Sequence, residues 1–451
     1  MNKPNFIIFV TDDQGYGDLS CMGTTDFRTP NLDTLASCGV RFTNWYSNSP
    51  VCSPSRASLL TGRYPIKAGV RSIVAGHRTA TGLPPAMPTI ATELKTLGYQ
   101  TFLSGKWHLG MAPGSRPHEK GFDHSFGILA GCVDYFSHIF YYGIHDGNFD
   151  PVHDLWEDNK EIWANGKYAT EMITEKAVSY LKQACCKDSP FFMYVAYNAP
   201  HYPMHAPKKY IDRFPNLPPD RRIMAAMLSA VDDGIGEIIA ELKKQGCYKN
   251  TCIFFMSDNG PSRESRNWLD GTKDPYYGGS AGNLKGHKFS LFDGGIRVPA
   301  ILTWPEKIPA GRVIDEPAAA MDIFPAFLSF IGADPTEYDF DGLDITHMVI
   351  DKTPAPDRQI FWEQANQTAV RRGPWKLVLN GQIVEDTPPQ DSIHLSNLDE
   401  DMSEQVNLKD KYPQLTAELT NAANNWRKEM EDFWKQNHQG RYNGITGFNR
   451  T

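Results

Sequence analysis

Phe6-Ile7-Ile8-Phe9-Val10-Thr11-Asp12-Asp13 sets five apolar residues directly before two carboxylates near the start of the chain. Five such residues, all aromatic or β-branched, are the pattern of a strand buried on both faces. Helix-spaced and strand-like segments alternate from there onward. Leu32, Leu35 and Ala36 predict a helix over residues 31–39, and a helix over 89–97, stopped by Gly98, leads into a strand over 100–103. A helix over 167–184 precedes a strand over 191–196. One long helix over 221–245, with Ile235, Ile238, Ile239 and Leu242 as its inner stripe, precedes a strand over 252–256. A further strand is read at 299–304. This alternation predicts an α/β fold, a large and mainly parallel or mixed sheet sandwiched by helices.

The pattern changes at Asp351-Lys352-Thr353-Pro354-Ala355-Pro356-Asp357, a polar linker. Strand-like pieces over 359–362, 368–371 and 375–379 follow, then a helix over 413–436. The expected division is a large α/β domain over 1–352 and a smaller C-terminal α+β domain with an antiparallel sheet over 353–451.

The chain has 451 residues and a net charge of −8. Mild acidity gives no support for a nucleic-acid partner, yet leaves an anionic substrate open because local charge can oppose net charge. Glycine (37) and proline (32) point to many ordered loops, and the composition excludes collagen, coiled coil and small disulfide scaffold. No apolar run approaches the roughly 18 residues of a membrane span, and the first is shorter than the about 7–15 of a leader core. The expectation is a cytoplasmic protein without a membrane partner; a chain trimmed of its leader would look the same and be periplasmic or secreted. The eight cysteines show no repeating spacing and are expected to be mostly reduced.

Four predicted strands run into polar, reactive residues. The first leads to Asp12-Asp13, the second to Lys106-Trp107-His108, the third to Asn198 and His201, and the fourth to Asp258-Asn259. In an open parallel sheet the carboxyl ends share one edge, where ligands bind. A single aspartate after a strand is ordinarily a cap or turn residue; four strand ends together define a candidate pocket. Asp12, Asp13, Asp258 and Asn259 are hard oxygen donors suited to Ca2+ or Mg2+ and not to Zn2+. Arg56, Lys106, His108 and His201 add cations and donors, so the set suits a tetrahedral oxyanion ester.

Cys52-Ser53-Pro54-Ser55-Arg56-Ala57-Ser58-Leu59-Leu60-Thr61-Gly62-Arg63 is the sharpest single feature. Pro54 and Ser55 predict a helix start, with Cys52 at its N-terminus, where the helix and Arg56 both favour negative charge. A buried core cysteine is the bland alternative. The stretch resembles the Cys-x-Pro-Ser-Arg…Leu-Thr-Gly-Arg signature of the sulfatase family, within the alkaline-phosphatase superfamily. Gly105-Lys106-Trp107-His108, Ala199-Pro200-His201, Ser257-Asp258-Asn259-Gly260, Gly294-Gly295-Ile296-Arg297 and Arg371-Arg372-Gly373-Pro374-Trp375-Lys376 extend the resemblance over nearly the whole chain.

The resemblance implies that a maturation enzyme converts Cys52 to formylglycine, whose hydrated aldehyde is the nucleophile. It implies a Ca2+, in preference to Mg2+, held by Asp12, Asp13, Asp258, Asn259 and the modified Cys52. Arg56 and Lys106 would stabilise nucleophile and sulfate charge, His108 would take a proton from the second hydroxyl, and His201 and Lys288 would contact sulfate and assist the leaving oxygen. Lys288 is chosen over Lys285 for its distance before Gly294-Gly295, although Lys-Gly-His-Lys departs from the family's commoner Gly-Lys-Gly.

Relatives of this kind act on sulfated sugars such as N-acetylgalactosamine sulfates of glycosaminoglycans, and aryl sulfates would serve as artificial substrates. Candidate rims are the loop 262–283 with Trp268, Tyr276 and Tyr277, the segment 72–87 with His77 and Arg78, and Asp134-Tyr135. Substrate binding is therefore expected at Lys288, His201, Lys106, Asp134 and His77. The alternatives are a phosphodiesterase or phosphonate monoester hydrolase, or a non-catalytic binder of sulfated glycan should Cys52 stay a thiol.

Overall fold

The computed structural model of the protein describes residues 3–140, 151–264, 277–354, 356–385 and 387–441. Among the described residues ten strands form one mixed sheet: β1 (Asn5–Thr11), β2 (Val40–Phe42), β3 (Gln100–Gly105), β4 (His124–Gly127), β5 (Trp156–Glu157), β6 (Lys160–Glu161), β7 (Phe191–Ala196), β8 (Thr251–Ser257), β9 (Ala300–Thr303) and β10 (Arg312–Ile314). Their order is β10-β2-β9-β8-β1-β7-β3-β4-β5-β6. The five central strands, β8-β1-β7-β3-β4, are parallel, with Phe9 level with both Val195 and Phe255. The strand expected at 299–304 is β9, which runs antiparallel to β8. Apolar runs report burial and not direction, so this reversal carries no sequence signal.

Helices α1 (Pro30–Ser37), α2 (Cys52–Thr61), α3 (Ile90–Thr96), α4 (Ala169–Cys185), α5 (Pro219–Lys244) and α6 (Ile323–Phe330) cover the two faces. Successive side chains of β1 point to opposite faces. Ile7 and Phe9 pack with Leu32, Ile173, Leu181, Ile235 and Leu242 of α1, α4 and α5. Phe6, Ile8 and Val10 pack with Leu59, Leu94, Phe324 and Phe327 of α2, α3 and α6. None of the described helices is long and apolar enough to cross a membrane.

The C-terminal unit is a four-stranded antiparallel sheet, β11 (Gln359–Gln364), β12 (Gln367–Arg372), β13 (Trp375–Leu379) and β14 (Ile393–Asn397), covered by α7 (Pro413–Asn437). β14 is an addition to the expected three strands. Its Ile393 and Leu395 face the helix, while His394 and Ser396 on the other face are also buried, at 2% and 1% exposure, so only two apolar residues mark it in sequence.

A buried charge cluster joins the two sheets. Lys376 of β13 places Nζ 2.6 Å from Asp293 Oδ1 and 3.2 Å from Glu404 Oε1, and all three side chains are at most 1% exposed. The Tyr46 hydroxyl donates to Asp293 Oδ2 at 2.9 Å, and Arg297 lies 3.4 Å away. Burial works against the Asp293 charge, but Lys376, with Arg297 and Arg371, holds it down at about 2. The motifs around Gly294-Gly295 and Gly373-Pro374-Trp375-Lys376 thus carry the joint between the sheets.

Candidate active site

β8, β1, β7 and β3 stand side by side, so their carboxyl ends meet at one edge. Backbone bonds knit the loops beyond them: Asp12 N to Ala199 O (3.2 Å), Asp258 N to Thr11 O (3.0 Å) and Lys106 N to Ala196 O (2.7 Å). Asp13 (φ 63°) and His108 (φ 55°) occupy the left-handed region, uncommon outside glycine though less so for Asp, Asn and His than for other residues. Both sharp turns aim a polar side chain back across the sheet edge.

The acidic residues form a buried set. Asp12 accepts from Lys106 Nζ at 2.5 Å, and Asp258 accepts from Arg56 Nε at 2.9 Å. Asn259 Nδ2 donates to Asp13 Oδ1 at 2.7 Å. Burial opposes the Asp12 charge, but Lys106, backed by His201, Arg56 and Lys288, holds it below the usual carboxylate range. Asp13 and Asp258 go the other way: burial and neighbouring carboxylates push them up to about 7 and about 6. Asn259 Oδ1 is buried and has no hydrogen-bond partner among the described residues. Ligand atoms of Asp12, Asp13, Cys52 and His201 all lie within 4.8 Å of one another. Crowded carboxylates and an orphaned amide oxygen fit a hard divalent cation, which would satisfy both.

Cys52 is the first residue of α2, a helix whose every side chain is buried. Gly62, at φ 69°, ends the helix in the left-handed conformation, which accounts for the Thr-Gly that closes the motif. Cys52 Sγ lies 3.3 Å from Asp12 Oδ1. Burial and Asp12 push the thiol well above its ordinary range. This corrects the expectation that the helix terminus and Arg56 would favour negative charge there; Arg56 is instead spent on Asp258, through Nε and, at 2.7 Å, a terminal nitrogen. Without a cation beside it, burial therefore favours the thiol form of an unmodified Cys52 over the thiolate.

Around Cys52 stand two neutral imidazoles and an ammonium. His108 Nε2 lies 3.0 Å from Val74 O, and a carbonyl only accepts, so Nε2 carries the proton. Nδ1 keeps its lone pair, buried and without a partner among the described residues. Burial, then Lys106 and Arg56, push His108 well below its ordinary value. His201 Nδ1 donates to Tyr202 O at 2.7 Å, while burial and Lys288 push the ring down to about 3. Lys288 Nζ donates to Asp13 Oδ2 (3.0 Å), Glu264 Oε2 (2.7 Å) and His201 Nε2 (3.2 Å), which accounts for its three protons. A recess opens beside these groups, lined by Cys52, His108, His201, Lys288 and Glu264 with Phe140 and Tyr202.

Every metal and catalytic residue expected from sequence therefore reaches one neighbourhood. Asp134 and His77, expected at the substrate rim, are not among the recess-lining residues. Asp134 accepts the backbone N–H groups of Phe136 and Ser137 and pairs with His205, closing a turn. Its neighbour Tyr135 does serve the site: the hydroxyl lies 2.7 and 2.8 Å from the carbonyls of Asn198 and His201. His77 Nδ1 meets Thr79 Oγ1 at 3.0 Å. In the loop 262–283, Tyr277 is exposed, whereas Trp268 and Tyr276 lie outside the described residues. Glu264 was not anticipated. It stands in that loop, but the loop drew attention for its aromatics, and only the fold brings its carboxylate to Lys288.

Comparison with known proteins supports the same reading. The sulfatase family matches residues 4–333. N-acetylgalactosamine-6-sulfatase of Mus musculus is 35% identical over 396 residues, spanning 83% of this chain and 72% of that protein. Arylsulfatase J of Mus musculus is 31% identical over 474 residues, spanning 95% and 76%. Among solved structures, Ps i-CgsB in complex with k-i-k-neocarrahexaose has a TM-score of 0.83 at 31% identity, covering 97% of this chain and 98% of that one. The chain belongs to the sulfatase family, with its alkaline-phosphatase-like architecture. It is a sulfuric ester hydrolase.

Proposed function

We propose that the enzyme removes sulfate from a sulfated sugar, through a formylglycine made from Cys52 and a bound Ca2+. The observation that carries this reading is the position of Cys52: buried at the head of α2, 3.3 Å from Asp12, and lining a recess with His108, His201 and Lys288. The names of the relatives support a sugar substrate, as do Phe140 and Tyr202, whose ring faces and edges suit a pyranose.

Asp12, Asp13, Asp258 and Asn259 would hold the cation, which supplies fixed positive charge against the sulfate oxygens. A hydrated formylglycine at position 52 would supply a geminal diol: one hydroxyl a nucleophile for sulfur that displaces the sugar oxygen, the other a means of releasing the sulfate by C–O cleavage without a second water. The protein's own groups then have distinct tasks. His108 accepts a hydroxyl proton at Nδ1, the lone pair that its Nε2–H bond to Val74 leaves free. Lys106 places an ammonium beside Asp12, where it stabilises charge developing near residue 52. Lys288 exchanges one of its three present acceptors for a sulfate oxygen, and His201, its partner, assists the leaving oxygen. Because Cys52 is 1% exposed and the whole of α2 is buried, the maturation enzyme must reach it before the chain has folded.

Matched 4-nitrophenyl sulfate and phosphate esters test the reaction class. A kcat/KM for the sulfate ester far above that for the phosphate esters is expected; faster release of 4-nitrophenol from a phosphate diester or phosphonate monoester would instead establish the phosphodiesterase or phosphonate hydrolase reading.

A further inference from the structure

Lys288 is followed by Phe289, whose φ of 72° places a bulky residue in the left-handed region. Such a conformation persists only where its surroundings over-determine it. Two of its restraints come from the segments that carry the site. Lys288 N donates to Pro261 O at 2.9 Å, two residues beyond Asn259, and Phe289 N donates to Pro50 O at 3.1 Å, two residues before Cys52. The others come from the C-terminal unit, from the start of β12 and the loop that follows β13. Gln367, the first residue of β12, is fully buried; its Nε2 donates to Phe289 O at 2.9 Å, and its Oε1 accepts from Leu291 N at 3.3 Å and Gln382 N at 3.0 Å. Ser290 Oγ donates to Gln382 O at 2.6 Å, and His287 N donates to Ile383 O at 3.1 Å.

We propose that Gln367 is a positioning residue for the reaction: its amide bridges Phe289 O and Leu291 N, holds the strained turn, and so aims Lys288 into the recess. The proposal rests on the reading of Lys288 as the sulfate-contacting lysine. Gln367 itself is not among the recess-lining residues and acts through Lys288. The position needs a donor and an acceptor on one planar group, because Phe289 O requires a proton and Leu291 N requires a lone pair. An apolar side chain of the same length would leave both backbone groups buried and unpaired, and the turn would relax towards a commoner backbone angle. Relaxation rotates the Cα–Cβ bond of the neighbouring Lys288 away from Asp13 and His201. On this account the C-terminal sheet frames the active site as well as completing the fold.

The test is a double-mutant cycle on kcat/KM for 4-nitrophenyl sulfate, with Lys288→Ala, Gln367→Met and the double variant. Gln367→Met is expected to lower kcat/KM about ten- to a hundredfold, the range of lost supporting contacts at a site. In the Lys288→Ala background the same change is expected to alter kcat/KM less than about twofold, because nothing is left to aim. Losses that multiply in the double variant would show a general structural role and overturn the proposal, as would a Gln367→Met enzyme with wild-type kcat/KM. Should Gln367→Met fail to fold, Gln367→Glu, which keeps the acceptor and loses the donor to Phe289 O, is carried through the same cycle with the same criterion. Wild-type kcat/KM in Lys288→Ala alone is a separate result that removes the reading of Lys288 and the proposal with it.

Discussion

Replacing Lys376 by methionine would leave two buried carboxylates facing each other across the joint between the sheets. Asp293 would lose its 2.6 Å partner and keep the Tyr46 hydroxyl at 2.9 Å, Arg297 at 3.4 Å and the field of Arg371. Glu404 would lose its 3.2 Å ammonium. Removing one member of a buried ion pair costs about 3–5 kcal/mol, mostly the penalty of the charge left behind. At about 2.1 cal/mol/K per residue, 451 residues melting as one unit have an unfolding entropy of about 0.95 kcal/mol/K, so Tm should fall by about 3–5 °C. The loss should be larger near pH 8 than near pH 5. Burial already pushes Glu404 up to about 7, and without Lys376 a proton on Glu404 relieves the repulsion. Calorimetry of wild type and Lys376→Met at both pH values is the assay. A Tm within about 1 °C of wild type at both values would refute the reasoning, since no buried charge would then have been stranded.

Glu404 also gives wild type a pH slope: with its carboxyl at about 7 in the fold against 4.5 otherwise, the folded chain holds the extra proton, so stability falls as pH rises from 4.5 towards 7. Glu404→Gln should flatten that slope, and an unchanged Tm–pH profile would contradict it; Asp293, held at about 2 against 3.8, contributes above 3.8 and loses that contribution as pH falls through 2. Chelation should abolish turnover and lower Tm, and Ca2+ returned at about a hundred times its Kd should restore about 2.7 kcal/mol of stability; a Tm indifferent to chelator and Ca2+ would count against the cation site. His108→Gln should lower kcat by about 10²–10⁴-fold with the fold intact, measured by saturation kinetics and circular dichroism. Gly131→Ala should also impair kcat, because its Cβ would come within 2.7 Å of His108 Cε1 and Nε2, and a wild-type kcat there would contradict the placement of that ring.

The central strands were legible because a strand buried on both faces must be an unbroken apolar run, as Phe6–Val10 is, and their ends were legible because Asp12, Lys106, His201 and Asp258 interrupt such runs. Their convergence followed from parallel topology alone. What sequence could not show is direction and context. β9 reads like its parallel neighbours and runs the other way. β14 offers only Ile393 and Leu395 as apolar signal, because its second buried face carries His394 and Ser396. For the ionisation of Cys52, local sequence shows a helix terminus and an arginine, whereas the fold adds complete burial and the Asp12 carboxylate, which push the thiol up. Glu264 and Gln367 are ordinary polar residues whose importance lies in partners 24 and 78 positions away.

The central claim is that residue 52 acts as formylglycine. The most direct measurement is peptide mass spectrometry across residue 52 on protein purified from its native host, read beside turnover of 4-nitrophenyl sulfate in the same preparation. The account predicts that the aldehyde mass is present and that specific activity scales with its fraction. Full turnover from a preparation whose residue 52 is entirely thiol would contradict it.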